Sequence, residues 1–224
     1  KLLSISGSGS GADIIVPDMG FSIPSEITTV DSDADGVVDR LVVGDTGGQI
    51  WRVDLAPLEI SLSDPESTTV VGKLADISGT AAAERRRFFE PASYLQQNDS
   101  VFSNTPTYDY ILIGTGYRPH PLDKDVEDRF YAIRDFQPNA GSINDTNDNN
   151  IADTTEGYPQ ASGEAFSNSD LINITTTPLD ASLDSNRASA GWFFDFTQAG
   201  STGRKVYSKP ITAKGPSGEG SVTF

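Results

Sequence analysis

The sequence has no cysteine and a single histidine, His120, among its 224 residues. Disulfides, thiolate zinc sites and cysteine nucleophiles are therefore excluded, and one histidine cannot build a histidine-rich zinc or iron centre. A Ser-His-Asp triad would have to use His120, which stands between two prolines, and the sequence has no Gly-x-Ser-x-Gly elbow. We expect His120 to have a structural or surface role and the protein not to be an enzyme.

Basic residues and long apolar runs are also scarce. Only 16 Lys and Arg stand against 32 Asp and Glu, which gives a net charge of −16. Nucleic acids and anionic lipid surfaces reward clustered cations, so neither is an expected partner, and we expect the arginines at 85–87 to form a solvated or ion-paired edge. No apolar run reaches the ~20 residues of a membrane span, and no signal peptide opens the chain. Residues 1–4 resemble the interior of a longer protein.

The residues that are abundant favour strands and turns. The chain has 21 Gly and 13 Pro, spread widely among many Ser, Thr and Asn. Three segments share one pattern, in which a strand, a glycine-containing turn and a second strand carry an aromatic residue shortly before an Asp. They predict hairpins within residues 39–55, 110–135 and 191–212. Residues 61–69 and 137–168 are predicted to be long polar loops, and residues 81–87 a helical turn.

The three hairpins indicate a repeated architecture. Their aromatic residues, Trp51, Tyr131 and Trp192, are separated by 80 and 61 positions, as blades with inserted loops would give. We predict an all-β fold that is part of a modified β-propeller with long inserted loops. At ~40 residues a blade, residues 1–224 form a single partial segment of about three to five blades, a fragment of a larger protein. Its open edges should make the isolated chain aggregate or require the rest of its parent. The alternative is a set of unrelated hairpins in a sandwich.

The segment 31–39 has the pattern of a calcium loop. Acids occupy positions 1, 3, 5 and 9, Gly36 occupies position 6, and the residue at position 7 offers its carbonyl oxygen. Calcium takes six to eight oxygen ligands, and this alternation places carboxylates around one point while glycine permits the sharp turn. Position 12 is Val42, so the bidentate glutamate of an EF-hand is absent. The predicted Ca²⁺ ligands are Asp31, Asp33, Asp35, Val37 through its carbonyl, and Asp39.

A second loop has EF-hand ligand spacing but fewer charges. Asn150 replaces the usual glycine, which is a mild departure because Asn tolerates the left-handed conformation. The alternative is an Asn- and Asp-rich surface loop without metal. The predicted ligands of this second, weaker Ca²⁺ site are Asp145, Asn147, Asn149, Ile151 through its carbonyl, Asp153 and Glu156.

Together these segments resemble the C-terminal propeller of the PilY family of type IV pilus tip and biogenesis proteins, called PilC in some bacteria. The resemblance implies a modified β-propeller on the bacterial cell surface at or near the pilus tip, with pilus subunits (minor pilins) or the rest of the parent chain as partners. It also implies that calcium bound at the 31–39 loop regulates pilus extension, retraction and adhesion. A surface receptor is a further candidate partner, but the adhesive N-terminal region of such proteins is absent from this sequence, so the resemblance does not identify one. The residues that carry the resemblance lie at 23–25, 31–39, 44–55, 87–91, 114–118, 129–135 and 191–195.

Two other functional classes are compatible with a propeller. An integrin-α-like extracellular adhesion propeller would repeat Asp-x-Asp-x-Asp-Gly loops in successive blades, whereas the full acidic form occurs once in this chain, at 31–36. A quinoprotein-like propeller enzyme would carry a tryptophan-docking repeat and a cofactor pocket, and we find neither pattern. The sequence therefore favours the pilus family.

Overall fold

The computed structural model describes residues 3–9, 11–55, 69–98, 107–136, 151–152, 159, 164–176, 190–197, 203–214 and 220–224. Within these ranges the chain forms strands β1 to β13, and the helical segments are two short 3-10 turns at Ala82–Glu84 and Asn168–Asp170. The predicted all-β class is confirmed, and the predicted helical turn at 81–87 is present. No helix in the described ranges is long and apolar enough to cross a membrane.

The first sheet contains four antiparallel strands in the order β3 (Thr28–Val30), β4 (Arg40–Gly44), β5 (Gln49–Asp54) and β6 (Val70–Asp76). The predicted hairpin at 39–55 is β4 and β5, in which Arg40 lies opposite Asp54 and Gly44 opposite Ile50. The short parallel strands β1 (Ile5–Ser6) and β2 (Ile14–Ile15) form a separate pair. Part of the predicted loop 137–168 also joins this sheet, because Ile151 and Phe166 form parallel bridges to β6.

The second sheet has five strands in the order β10, β11, β9, β8, β7. The predicted hairpin at 110–135 is β8 and β9, which pair antiparallel. The strands of this sheet are β7 (Ser93–Asn98), β8 (Thr107–Gly114), β9 (Arg129–Asp135), β10 (Ile172–Asn173) and β11 (Gly191–Asp195).

The third predicted hairpin, at 191–212, is wrong. Its first strand exists as β11, but β11 pairs with β9 on one side and β10 on the other. Residues 205–210 are not in a strand, and Val206 instead donates its backbone N–H to the carbonyl of Thr115, at 3.0 Å. The next strand, β12 (Ile211–Lys214), pairs with β13 (Gly220–Thr223).

Both faces of each sheet are buried, which explains the long apolar strand sequences. One face of the first sheet packs on one face of the second, where Ile50, Leu74, Ile111 and Tyr131 belong to the same buried cluster. Two further clusters cover the outer faces of the sheets. Gly44 lies at this contact, because a Cβ there would come within 2.7 Å of the side chain of Phe88.

The connection from β8 to β9 is fastened at its base. The hydroxyl of Thr115 donates to Asp128 at 2.9 Å and accepts the backbone N–H of Arg129 at 2.8 Å. The backbone N–H of Thr115 also donates to the carbonyl of Arg129 at 2.9 Å. Beyond this base the connection projects outward, and Leu122 near its tip is 88% exposed. The predicted surface role of His120 agrees with its exposed position in this loop, stacked on Tyr117.

Candidate metal centre

The 31–39 loop joins β3 to β4, and hydrogen bonds of the Asp39 backbone fix its C-terminal end. Asp39 donates its N–H to the carbonyl of Val30 at 3.0 Å and accepts the N–H of Leu55 at 2.8 Å. Asp39 is thus held by the strand before the loop and by the end of β5. The loop between these anchors is short, and Ala34 (φ 63°) and Gly36 (φ 93°) both adopt left-handed conformations.

Three of the predicted ligands converge. One carboxylate oxygen from each of Asp31, Asp33 and Asp39 lies within 4.8 Å of the others. Asp31 accepts the backbone N–H groups of Asp35 and Gly36, at 3.1 and 2.9 Å, so the loop wraps around the first carboxylate. Like charges this close repel one another, and a cation between them would remove that repulsion.

The other two predicted ligands are placed differently. The carboxylate of Asp35 lies outside the group of three and accepts the backbone N–H of Val37 at 2.8 Å. Val37 was predicted to coordinate the ion through its carbonyl oxygen, and it lies two residues before Asp39 in the same loop.

One oxygen of Asp39 lacks a hydrogen-bond partner. Oδ2 accepts the backbone N–H and the hydroxyl of Ser32, at 3.0 and 2.7 Å. Oδ1 is buried and accepts no hydrogen bond within the described residues. A buried carboxylate oxygen without a partner is costly, and a bound cation would satisfy it. The donor set, all oxygen and mostly anionic, fits a hard cation such as Ca²⁺.

The second predicted calcium loop lies almost entirely outside the described residues. Asp145, Asn147, Asn149, Asp153 and Glu156 fall in the ranges that are not described. Ile151 is described: it forms the bridge to Val71, and its side chain packs on the cluster that covers the outer face of the first sheet. This second site stays a prediction.

A buried network of charged residues begins directly after the 31–39 loop. Arg40 contacts Asp54 at 3.2 Å (Nε–Oδ1) and Asp109 at 2.6 Å (Nη1–Oδ2). Arg52 contacts both oxygens of Asp54 at 2.6 Å and Oδ2 of Asp135 at 2.6 Å. The side chains of these five residues are at most 2% exposed. Because β4 and β5 belong to the first sheet and β8 and β9 to the second, the network joins the two sheets.

Burial shifts the protonation of this network. It raises the pKa of Asp109 to about 6, although Arg40 and a hydrogen bond from Tyr94 act in the opposite direction. The Tyr94 hydroxyl donates to Oδ1 of Asp109 at 2.9 Å. Burial and then the charge of Asp109 raise the pKa of Tyr94 well above its ordinary value.

The sequence analysis did not identify this network. One signal was available, because the predicted hairpin at 39–55 places Arg40 opposite Asp54. The contacts to Asp109 and Asp135 had no such signal, since they depend on how the two sheets pack. The arginines at 85–87 were predicted to be solvated or ion-paired: Arg85 is exposed, and Arg86, which is only 1% exposed, is ion-paired, with its Nη2 3.8 Å from Glu127 Oε2.

Comparison with known proteins gives a match of fold. No protein-family model and no curated protein matches the chain. Among solved structures, the chain is similar to the C-terminal domain of PilY1 from Pseudomonas aeruginosa, with a TM-score of 0.51 and 16% sequence identity. The similarity covers 87% of this chain and 44% of that structure, so the chain spans less than half the length of the domain it matches. The chain therefore has an all-β fold similar to that of the PilY1 C-terminal domain, as the resemblance of its sequence motifs predicted.

Proposed function

We propose that this chain is a non-enzymatic, calcium-binding segment of a type IV pilus biogenesis and adhesion protein. The observation that carries the proposal is the 31–39 loop, where three carboxylates converge and a buried oxygen of Asp39 has no partner. The similarity to the PilY1 C-terminal domain supports the pilus assignment. The two packed sheets would then be two blades of a modified propeller. The first has the consecutive antiparallel order β3-β4-β5-β6 of an up-and-down blade, and the second contains the consecutive antiparallel strands β7, β8 and β9, to which β11 adds beside β9 and β10 pairs parallel to β11.

Asp31, Asp33 and Asp39 would hold the ion, with Asp35 and the carbonyl of Val37 completing the set. Bound Ca²⁺ supplies positive charge that neutralises the crowded carboxylates. The loop residues would hold the ion close to the start of β4, because Asp39 directly precedes Arg40. We expect a dissociation constant for Ca²⁺ of roughly 10⁻⁶ to 10⁻³ M at this site, the range that covers calcium sensors and extracellular modules.

Calorimetry or terbium luminescence on Asp33→Ala tests the metal site. We expect this variant to lose one bound ion, because Asp33 provides one of the three converging carboxylates. Asp125→Ala is the matched control, an exposed aspartate in the β8–β9 connection, and it should bind as the wild type does. Unchanged stoichiometry in Asp33→Ala would reject the site.

We propose a second, weaker calcium site at Asp145, Asn147, Asn149, Ile151, Asp153 and Glu156, from its ligand spacing. Glu156 would supply the bidentate contact that the first loop lacks. Glu156→Gln should therefore weaken the second binding step and leave the first unchanged. A single binding step in the wild type at high calcium would reject the second site.

In the bacterium, we propose that calcium at the 31–39 loop regulates pilus extension, retraction and surface attachment. The protein would lie at the pilus tip, with minor pilins or the rest of its parent chain as partners. Asp33→Ala should act like calcium removal. Asp33→Lys should act like the occupied loop, because an ammonium group would replace the charge of the ion. The two variants, introduced into the full-length protein, should give opposite pilus phenotypes. Wild-type behaviour of both, with and without chelator, would mean that the loop does not regulate the pilus.

A further inference from the structure

We propose that Asp109, in the second sheet, is a positioning residue for the proposed calcium ligand Asp39, which ends the loop that leads into β4 of the first sheet. It acts through Arg40, so calcium binding and the packing of the two sheets strengthen each other. This inference rests on the proposed calcium site and adds to it a mechanism by which an ion bound beside the first sheet stabilises the contact with the second.

The first step is the contact between the loop and Arg40. Asp39 and Arg40 are adjacent, and the Asp39 backbone is bonded to Val30 and to Leu55. Arg40 is 0% exposed and lies opposite Asp54 in the strand ladder. A change in the position of Arg40 therefore moves Asp39, because no flexible residue separates the two.

The second step is the contact between Arg40 and the second sheet. Arg40 Nη1 donates to Oδ2 of Asp109 at 2.6 Å, and Asp109 is itself 0% exposed. The other oxygen of Asp109 accepts the hydroxyl of Tyr94 from the neighbouring strand β7, at 2.9 Å. Asp109 is thus held on its own sheet and holds Arg40 by a short, charge-assisted bond.

The third step is electrostatic. Asp109 compensates the charge of a guanidinium whose backbone adjoins a calcium ligand. Without the Asp109 carboxylate, Arg40 retains Asp54 but carries less compensating negative charge in a buried position. The loop would then be less well placed and the nearby cation less favoured. Binding free energies are reciprocal, so an ion favoured by the intact contact must in turn favour that contact.

Asp109→Asn tests the inference, with Asp195→Asn as the matched control. Asp195 contacts Arg129 at 2.9 Å and is 1% exposed, but this pair lies wholly within the second sheet. In terbium or calcium titrations we expect Asp109→Asn to bind about five- to twenty-fold more weakly, within the usual range of coupling between sites. Asp195→Asn should stay within about twofold of the wild type, because it leaves the contact with Arg40 intact.

Hydrogen exchange adds a readout that a purely local role would not change. In the wild type and in Asp195→Asn, added calcium should slow amide exchange in β8 and β9 as well as in β3 to β5. In Asp109→Asn the slowing should be confined to the first sheet. If Asp109→Asn fails to fold, Tyr94→Phe replaces it, since it removes only the hydrogen bond to Asp109; we expect about two- to threefold weaker binding.

The outcomes separate this inference from the calcium site itself. Absence of any ion at residues 31–39 in the wild type rejects the site. Calcium binding with wild-type affinity in Asp109→Asn or, where that variant does not fold, in Tyr94→Phe overturns the role of Asp109 and leaves the site intact. Protection confined to β3–β5 in the wild type overturns it as well.

Discussion

Asp109 is a carboxyl group that water does not reach, and its protonation should affect stability. Its pKa rises from 3.8 to about 6 on folding, because burial disfavours the charged form. Between pH 3.8 and about pH 6, the folded state therefore retains a proton that the unfolded state has already released. The stabilising contribution of this group is complete below about pH 4 and is lost as the pH rises through 6. Its full size is about 3 kcal/mol, at 1.36 kcal/mol per pKa unit.

Urea unfolding at several pH values measures this contribution. We expect the difference in unfolding free energy between the wild type and Asp109→Asn to fall as the pH rises from about 4 to about 7, because only the wild type has the titrating carboxyl. A difference that is constant over this range would contradict the raised pKa.

At the residue scale, the sequence predicted the convergence of acidic side chains in the 31–39 loop better than it predicted the buried charges. The spacing of Asp31, Asp33 and Asp39 sufficed to predict that their carboxylates lie close together, because a short loop brings such residues together without help from distant segments. That the Asp35 carboxylate lies outside this group was not predictable, since its hydrogen bond from the N–H of Val37 depends on local backbone geometry. Asp109 gave no signal, because its burial depends on contact with the first sheet, whose Arg40 is 69 residues away in sequence.

At the scale of elements, one side chain organises the hairpin of β4 and β5. Asp45 is 0% exposed, and its Oδ1 accepts the backbone N–H groups of Gly47 and Gln49 at 2.8 and 3.0 Å. Its Oδ2 accepts the indole N–H of Trp51 at 3.0 Å. Gly48 completes the turn at φ 81°, a conformation that glycine adopts without strain.

Asp45→Asn should destabilise the protein by about 1–3 kcal/mol. The Asn side chain keeps one acceptor oxygen, but its NH₂ group would face one of the N–H groups that Asp45 accepts, so that N–H would lose its acceptor. Urea denaturation measures the loss. The control is Asp45→Asn made in the Trp51→Phe variant, which has no indole N–H to donate to residue 45. There the cost should be smaller, and the difference between the two backgrounds gives the coupling of this pair. Equal costs in both backgrounds would show that the indole bond contributes nothing.

The hairpins also show where element prediction succeeds and fails. The segment 39–55 was predicted correctly because four residues connect its strands, so the partners are adjacent in sequence. The segment 191–212 has the same residue pattern, but β11 pairs with β9, which precedes it by more than 50 residues. Strand composition indicates a strand and not its partner. The bridge of Phe166 to β6 was missed for the same reason, within a stretch that is otherwise polar.

At the scale of the whole molecule, Arg52 joins the two sheets through its contacts with Asp54 and Asp135. Arg52→Ala removes the guanidinium from between two buried carboxylates. We expect a loss of about 3–5 kcal/mol in unfolding free energy, the usual cost of breaking a buried ion pair on one side. Arg118→Ala is the control: Arg118 is 62% exposed beside Glu90, and its removal should cost less than about 1 kcal/mol.

The two tryptophans report the sheets separately, since Trp51 is in β5 and Trp192 is in β11. Variants that retain one tryptophan each should show coincident unfolding transitions by fluorescence when Arg52 is present. In Arg52→Ala the two transitions should separate. Coincident transitions after the substitution would show that apolar packing alone makes the sheets cooperative.

The all-β class followed from composition, but the arrangement of the sheets did not. Alternation along single strands cannot distinguish a sandwich from neighbouring blades, because both bury residues such as Val42 and Val43 on opposite faces. The pairing of the sheets is decided by side chains such as Ile111 and Tyr131, which meet only in three dimensions.

The fastened base of the β8–β9 connection bears on how such chains diverge over time. Hydrogen bonds among Thr115, Asp128 and Arg129 hold the two ends of the connection together where it leaves the sheet. Lengthening a loop whose ends are already held costs little, since closure entropy grows only with the logarithm of length. Insertions and deletions can therefore accumulate at the tip around Leu122 under weak selection. Two related chains can then keep the same sheets and lose the regular spacing by which a repeat is recognised.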